Sequence, residues 1–362
     1  MQPMASTKSY NSKIVNLAIP NILSNLSVPL LGAVDTAIVG RLDELYYLGA
    51  IAVGSLVFDF IFWGFGFLRM GTTGLVAQAL GAANHQMIQN LWLRVALFGS
   101  ILGLALIVLQ NPIAHWSLVI ISPSAEVAQY ATEYIRIRIW AAPATLLLYG
   151  MNGWFLGMQN ARIPMIITIV LNIINLVLNV VFVLVLDWKV AGIAFGSVIA
   201  SYLGLFLALG IFFQSYAKRW ASGWWREWQK SDFWEPSTWK EWLGVNRDIF
   251  IRTLCLIFAY AYFTTTSARA GDLVLATNTI LLQLWYISSY GIDGFAYAAE
   301  SLSGMYWGQK NTEAFKQVVR KTMQWGLGLG LSLSALFYIG FEPLFMLFTD
   351  KPAVVEHAQY VM

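Results

Sequence analysis

Ile14-Val-Asn-Leu-Ala-Ile-Pro-Asn-Ile-Leu-Ser-Asn-Leu-Ser-Val-Pro-Leu-Leu-Gly-Ala-Val-Asp-Thr-Ala-Ile-Val-Gly40 contains a single charged side chain, Asp35. About 20 apolar residues cross the roughly 30 Å hydrocarbon core of a bilayer as a helix, so this stretch is long enough to span. Residues 1–13 are polar and carry Lys8 and Lys13, as the start of a secretory signal does. The apolar segment that follows is too long for a signal core and holds no small-residue cleavage site. It reads as a first membrane span. Pro20 and Pro29 interrupt its hydrogen-bond ladder and free carbonyls toward a cavity.

Composition extends this reading to the whole chain. Of 362 residues, 58% are hydrophobic and 11% charged, where soluble domains run near 45–50% and about 25%. The formal net charge of +3 excludes a nucleic-acid binder, and the apolar content excludes a disordered chain. The one cysteine, Cys255, precludes an intramolecular disulfide, and no Cys/His cluster suggests zinc. Apolar stretches recur at 14–40, 48–80, 92–110, 128–158, 163–186, 190–215, 248–268, 273–307 and 316–348, with a further start at 352–362. They lack the alternation of a barrel strand, so nine membrane helices and the beginning of a tenth are expected.

Loop charges orient these spans. With a cytoplasmic N-terminus, one side collects Lys8, Lys13, Arg94, Arg162, Lys218, Arg219, Arg226, Lys230, Lys240, Arg247, Lys310, Lys316, Arg320 and Lys321. The other receives only Arg41, Lys189, Arg269 and Lys351. The connector 216–247 then lies on the cytoplasmic side. Its Trp220, Trp224 and Trp228 fall on one helix face, which suggests an amphipathic helix at the headgroups. A partner-binding helix is the alternative.

The chain also repeats itself at an offset of 227–228 residues. Arg41-Leu-Asp-Glu-Leu45 matches Arg269-Ala-Gly-Asp-Leu273, and Gly81-Ala-Ala-Asn84 falls on Gly308-Gln-Lys-Asn311. Gly99, Gly103 and Arg94 fall on Gly326, Gly330 and Lys321. The offset spans six helices, so both halves enter the membrane from the same side, as parallel repeats with a substrate path between them. The expected organisation is a first lobe at 1–215, the connector at 216–247 and a partial second lobe at 248–362. Three helices of the first lobe have no counterpart in the second, so a truncated chain that does not itself transport is expected.

Ionisable residues inside spans are costly and mark candidate sites. At ~100° per residue, Asn21, Asn25, Val28, Gly32 and Asp35 share about 80° of the first span. Asp35 either binds H⁺ or Na⁺ or is a structural hydrogen-bond partner. Thr168, Asn172, Asn175 and Asn179 share about 60° of the fifth span, and Ser197 and Ser201 lie on the sixth. These amides either solvate an ion or substrate or join helices. Tyr286, Tyr290, Asp293, Tyr297 and Glu300 form a stripe on the eighth span. It is either a cavity wall or holds ion pairs of Asp293 and Glu300 with Arg252 and Arg69. Asp59 lies near Trp63 in the second span. No nucleophile elbow, P-loop, HExxH or Cys/His cluster is present, so neither an enzyme nor an ATP-driven pump is expected. An ion gradient is the remaining energy source, with no cofactor or metal.

Val28-Pro-Leu-Leu-Gly-Ala-Val-Asp-Thr-Ala-Ile-Val-Gly40, Phe67-Leu-Arg-Met-Gly-Thr-Thr-Gly-Leu-Val-Ala-Gln78, Asn246-Arg-Asp248 and Asp293-Gly-Phe-Ala-Tyr-Ala-Ala-Glu300 together resemble the multidrug and toxic compound extrusion (MATE) family. Within it, they resemble the bacterial DNA-damage-inducible protein F branch. The resemblance covers the whole chain. It implies an all-α, twelve-helix fold of two pseudo-symmetric lobes, a monomer in the inner membrane, and cation-coupled antiport of organic, often amphipathic cations. It makes Asp35 the coupling acid, with Asn175, Asn179 and Ser197 beside it. Position 179 is Asn where the family carries Asp, which favours proton over sodium coupling. Arg252 stands near the place of an acid found in other branches, which speaks against sodium in the second lobe. The competing expectations are a sodium-coupled antiporter, a lipid-linked oligosaccharide flippase and a lipid-modifying membrane enzyme. The scarcity of in-span arginines argues against the flippase, and the lack of a paired catalytic constellation argues against the enzyme.

Overall fold

The computed structural model describes residues 7–40, 44–216, 233–346, 348–349 and 351–361, all helices and short connections. Helix α1 is Thr7–Val39, with Pro20 and Pro29 inside it. Helices α2 (Leu45–Gly64) and α3 (Phe67–Gly81) form one span broken at Phe65 and Gly66. They are followed by α4 (His85–Val108), α5 (Gln110–Ile121) and α6 (Ala125–Arg138). A 3-10 turn joins α6 to α7 (Ala142–Gly157). Helix α8 (Arg162–Asn179) ends in a π-helical turn, Val180–Val185, before α9 (Lys189–Ser215). The second part holds α10 (Pro236–Arg269), α11 (Asp272–Gly308), α12 (Thr312–Ile339), the short α13 (Phe341–Met346) and α14 (Pro352–Val361).

Five described helical segments are long and apolar enough to cross a membrane: Leu45–Gly81, His85–Val108, Arg162–Val185, Lys189–Ser215 and Pro236–Arg269. Large side chains such as Val108, Ile120, Phe258 and Ile339 are exposed on the bundle, as a lipid-facing surface requires.

The repeat expected at an offset of 227 recurs in the backbone itself. Leu45 and Asp272 start equivalent helices, and Gly81 and Gly308 end them. His85 pairs with Thr312, and Ala125 with Pro352, as helix starts. The turns match as well. Ala83 and Lys310 both have a left-handed φ, 53° and 55°. Asn84 and Asn311 then cap α4 and α12 by accepting from Met87 N at 2.9 Å and Ala314 N at 3.0 Å. Each cap satisfies an orphan amide of the helix that follows.

Two expectations are corrected. The helix that carries the seventh span does not begin at 248: α10 starts at Pro236, within the stretch read as connector and at a residue suited to the first helical turn. Phe233, Trp239 and Trp242 thereby pack into the first repeat, against a cluster built on Trp92, Trp154 and Phe212. Arg94 is not a loop cation. It is 0% exposed within α4, and its guanidinium donates to the carbonyls of Phe233 and Thr238 and to Thr238 Oγ1. Buried arginine needs such partners, and here they anchor the start of α10. Trp220, Trp224 and Trp228 lie outside the described residues.

Helix α1 belongs to both parts. Its Ile14, Leu17 and Ala18 bury against Phe295, Ala298 and Leu302 of α11, while further along it meets α8. The result is a helix wedged between the repeats, carrying Asp35 near its end.

Candidate functional site

Three helices bring the first cluster together. Asn179 Nδ2, on the last turn of α8, donates to Asp35 Oδ1 of α1 at 2.7 Å. The same nitrogen donates to Asn175 Oδ1, one turn back, at 3.1 Å. Asn175 Nδ2 in turn donates to Ser197 Oγ of α9 at 3.1 Å. The spacing of four residues puts both amides on one face of α8, and the glycine at 196 lets α9 approach them. A Cβ there would fall on Asn179 Oδ1. Asn179 is 0% exposed, and its Oδ1 has no hydrogen-bond partner. A buried acceptor left unmatched costs about 1–3 kcal/mol, so this oxygen has capacity for one more hydrogen bond.

The other polar residues of α1 and α8 divide differently from the sequence expectation. Asn172 Nδ2 donates to Ser27 Oγ at 2.8 Å, a bridge from α8 to α1. Asn25 Nδ2 donates to the Tyr290 carbonyl of α11 at 3.3 Å, joining the repeats. Asn21, expected to line the cavity, is instead buried and donates to its own helix at the Leu17 carbonyl, 2.7 Å away. It shares the face of Asp35 by periodicity, but α11 closes over that face at its level. Gly294 of α11 sits against the Ala18 carbonyl and Ile22.

The second cluster lies along α11. Here the expected ion pairs are corrected: Asp293 and Glu300 have no N···O contact within 4.0 Å to Arg69 or Arg252, and among the described residues the one such pair is Arg247 with Asp248. Arg69 lies over the Tyr297 ring, 3.8 Å from its centre, and Arg252 Nη2 reaches Met70 Sδ at 3.1 Å. The ring competes successfully for the guanidinium because a flat cation over an aromatic face is favourable where water is scarce. The charges still act at longer range, Arg69 on both acids and Arg252 on Glu300. Tyr286 continues the stripe into an aromatic wall of Trp63, Tyr260 and Trp285, contributed by α2, α10 and α11.

One participant escaped the sequence reading, and another was seen there only as an in-span arginine. Tyr260 closes that wall from α10. Arg138, at the end of α6, has buried and unpartnered Nε and Nη1 atoms and sits 5.9 Å from the Phe58 ring centre. Its charge acts on both Asp35 and Asp59. No local motif marks it; only the packing of α6 on α2, Tyr134 against Gly54, brings it there. Among the described residues no group of three His, Cys, Asp or Glu side chains could hold a metal.

The sequence model of the MatE family matches residues 20–181 and 249–362. The chain belongs to the MatE family. DNA damage-inducible protein F of Escherichia coli is 37% identical to this MatE chain over 355 residues, 98% of the chain and 76% of that protein. Probable multidrug resistance protein NorM of Thermotoga maritima is 24% identical, over 98% of the chain and 75% of that protein. The fold is that of a MOP superfamily transporter from Pyrococcus furiosus, with a TM-score of 0.84 at 20% identity over 96% of the chain and 77% of its counterpart. A MATE structure in the bent conformation gives 0.86 at 20% identity, with the same coverage. MatE proteins are multi-pass membrane transporters of the multidrug and toxin extrusion type, not enzymes, and this chain is one of them.

Proposed function

We propose that the full-length protein exports organic, often amphipathic cations in exchange for protons, by alternating access. In this reading it lies in the bacterial inner membrane as a monomer, with its N-terminus and the 216–247 connector in the cytoplasm. The first lobe, 1–215, carries the coupling site, and the stripe on α11 of the second, 248–362, forms the substrate wall. One observation supports it above the others: Asp35 meets an amide whose nitrogen donates to it and whose buried oxygen is unpartnered.

That arrangement suits both protonation states. Ionised Asp35 accepts from Asn179 Nδ2 and attracts a cation. Protonated Asp35 is neutral and has an O–H to donate, and Asn179 Oδ1 accepts it once the amide turns over. Proton uptake from outside thus cancels the charge that held the substrate. Pro20 and Pro29 deprive the carbonyls of Asn16 and Asn25 of their helical partners, which lowers the cost of bending α1 as this happens. Efflux driven by a pH gradient is expected to fall to background in the full-length protein carrying Asp35→Asn. Wild-type efflux from that variant overturns the mechanism.

Sodium coupling is the second reading. The same unpartnered oxygen, with Asp35 and Ser197 Oγ, offers hard ligands to Na⁺. The amide at position 179 leaves Asp35 as the one carboxylate in this hydrogen-bonded set, which favours the proton.

A further inference from the structure

Helices α3 and α11 are equivalent by the 227-residue repeat, and they cross at the end of the bundle that bears the capping residues Asn84 and Asn311. The crossing is reciprocal. A Cβ placed on Gly81 would fall on the Met305 carbonyl oxygen, and one placed on Gly308 would fall on the Gln78 carbonyl oxygen. Gly81 and Gly308 are equivalent positions, and so are Gln78 and Met305. Between them, Gly304 faces Ala77, its own equivalent, with the built Cβ 2.9 Å from Ala77 Cβ. A contact in which each residue meets the partner's copy of its own neighbour is the signature of a two-fold axis. That axis passes between Ala77 and Gly304. The motif is small-xxx-small on both helices, Ala77 with Gly81 and Gly304 with Gly308, which allows backbone to touch backbone.

The rest of the seam lies on the same half of α11. Gln159 Nε2, in the turn after α7, donates to the Ser301 carbonyl at 2.8 Å and Ser301 Oγ at 2.7 Å. Lys13 Nζ reaches Tyr306 OH at 3.0 Å. Beside the crossing lies a cavity of about 530 Å³ lined by Gln78, Asn84, Trp307, Lys310 and Asn311.

We propose that Gly81 and Gly308 form the cytoplasmic gate of the transporter. Each glycine seats on a carbonyl of the opposite repeat and holds this end closed, and the pair separates when the substrate enters from the cytoplasm. The proposal rests on the alternating-access reading and the orientation given above. It does not depend on which ion drives the cycle. Close backbone contact has no room for a methyl group, so alanine at either position disfavours the closed state and leaves an open state free of that clash.

The test measures the distance across the seam in the full-length protein, without substrate or gradient. Spin labels are placed at His85→Cys and Thr312→Cys, equivalent exposed positions, in a Cys255→Ser background. Gly81→Ala and Gly308→Ala are each expected to shift the ratio of long to short distances by roughly tenfold or more, the change that about 1.4 kcal/mol produces. Gly74→Ala, on the same helix but with open space around its Cβ, is expected to leave the distances as in the background. An unchanged distribution in folded Gly81→Ala, or an equal shift in Gly74→Ala, overturns the proposal. Should neither gate variant fold, cross-linking the two cysteines in the background protein decides: blocked efflux supports the gate, and retained efflux overturns it. Failure of the Asp35 reading appears separately, as efflux that survives Asp35→Asn with the distance shift intact.

Discussion

The two polar clusters of this transporter obey different physics. Around Asp35, every step is a direct hydrogen bond: Asp35 to Asn179, Asn179 to Asn175, Asn175 to Ser197. Along α11, the acids Asp293 and Glu300 make no hydrogen bond to another described side chain, and the nearby Arg69 rests on an aromatic ring. The first arrangement fixes the geometry of one carboxylate, which suits a group whose proton occupancy drives a cycle. The second leaves charge unsatisfied at longer range beside an aromatic wall, which suits cations of varied shape. A relay tolerates little change, whereas a charged wall tolerates a great deal.

Variants should break the two clusters unequally. Beyond Asp35→Asn, the largest effect is expected for Asn179→Ala, which strips the carboxylate of its donor. Hydrogen bonds to charged groups contribute about 1.5–3 kcal/mol, so efflux driven by a pH gradient should fall roughly tenfold or more. Efflux at the wild-type rate would remove Asn179 from the coupling site. Glu300→Gln should raise KM for a cationic substrate several-fold, roughly the effect of losing one charge at a distance from the substrate, and leave Vmax and proton coupling intact. A loss of coupling instead would place Glu300 in the driving mechanism and dissolve the contrast. Asn21→Ala is the smallest. It removes a bond worth about 1 kcal/mol to its own helix, so thermal stability should drop slightly while efflux and its pH profile hold. A changed pH profile would return Asn21 to the cavity.

Periodicity made Asn175 and Asn179 legible as one face of an apolar helix, since polar residues four apart must share a face, while their meeting with Asp35 and Ser197 was implied by the family resemblance. The repeat was legible for a similar reason. Gly81 with Gly308 and Asn84 with Asn311 perform the same turn chemistry, and turn chemistry is local. What periodicity does not specify is the neighbour. It put Asn21 on the face of Asp35, but the height at which α11 crosses α1 decides that Asn21 is sealed. It left open an ion pair between Arg69 of the second span and the acids of the eighth, but the Tyr297 ring takes the guanidinium. Arg94 looked like a loop cation because it stands near a span's end, and only the fold brings the carbonyls of Phe233 and Thr238 to it. Arg138 was legible only as one of the few arginines inside a span, since its relation to Asp35 and Asp59 exists only through the packing of α6 on α2.

The most direct test of proton coupling at Asp35 is substrate-induced proton release from the purified full-length protein, measured with and without Na⁺ and repeated with Asp35→Asn. The expected result is stoichiometric release on binding of a cationic substrate, unaffected by Na⁺ and absent from the variant. Release that persists in Asp35→Asn, or that is replaced by Na⁺ displacement in the wild type, would contradict it.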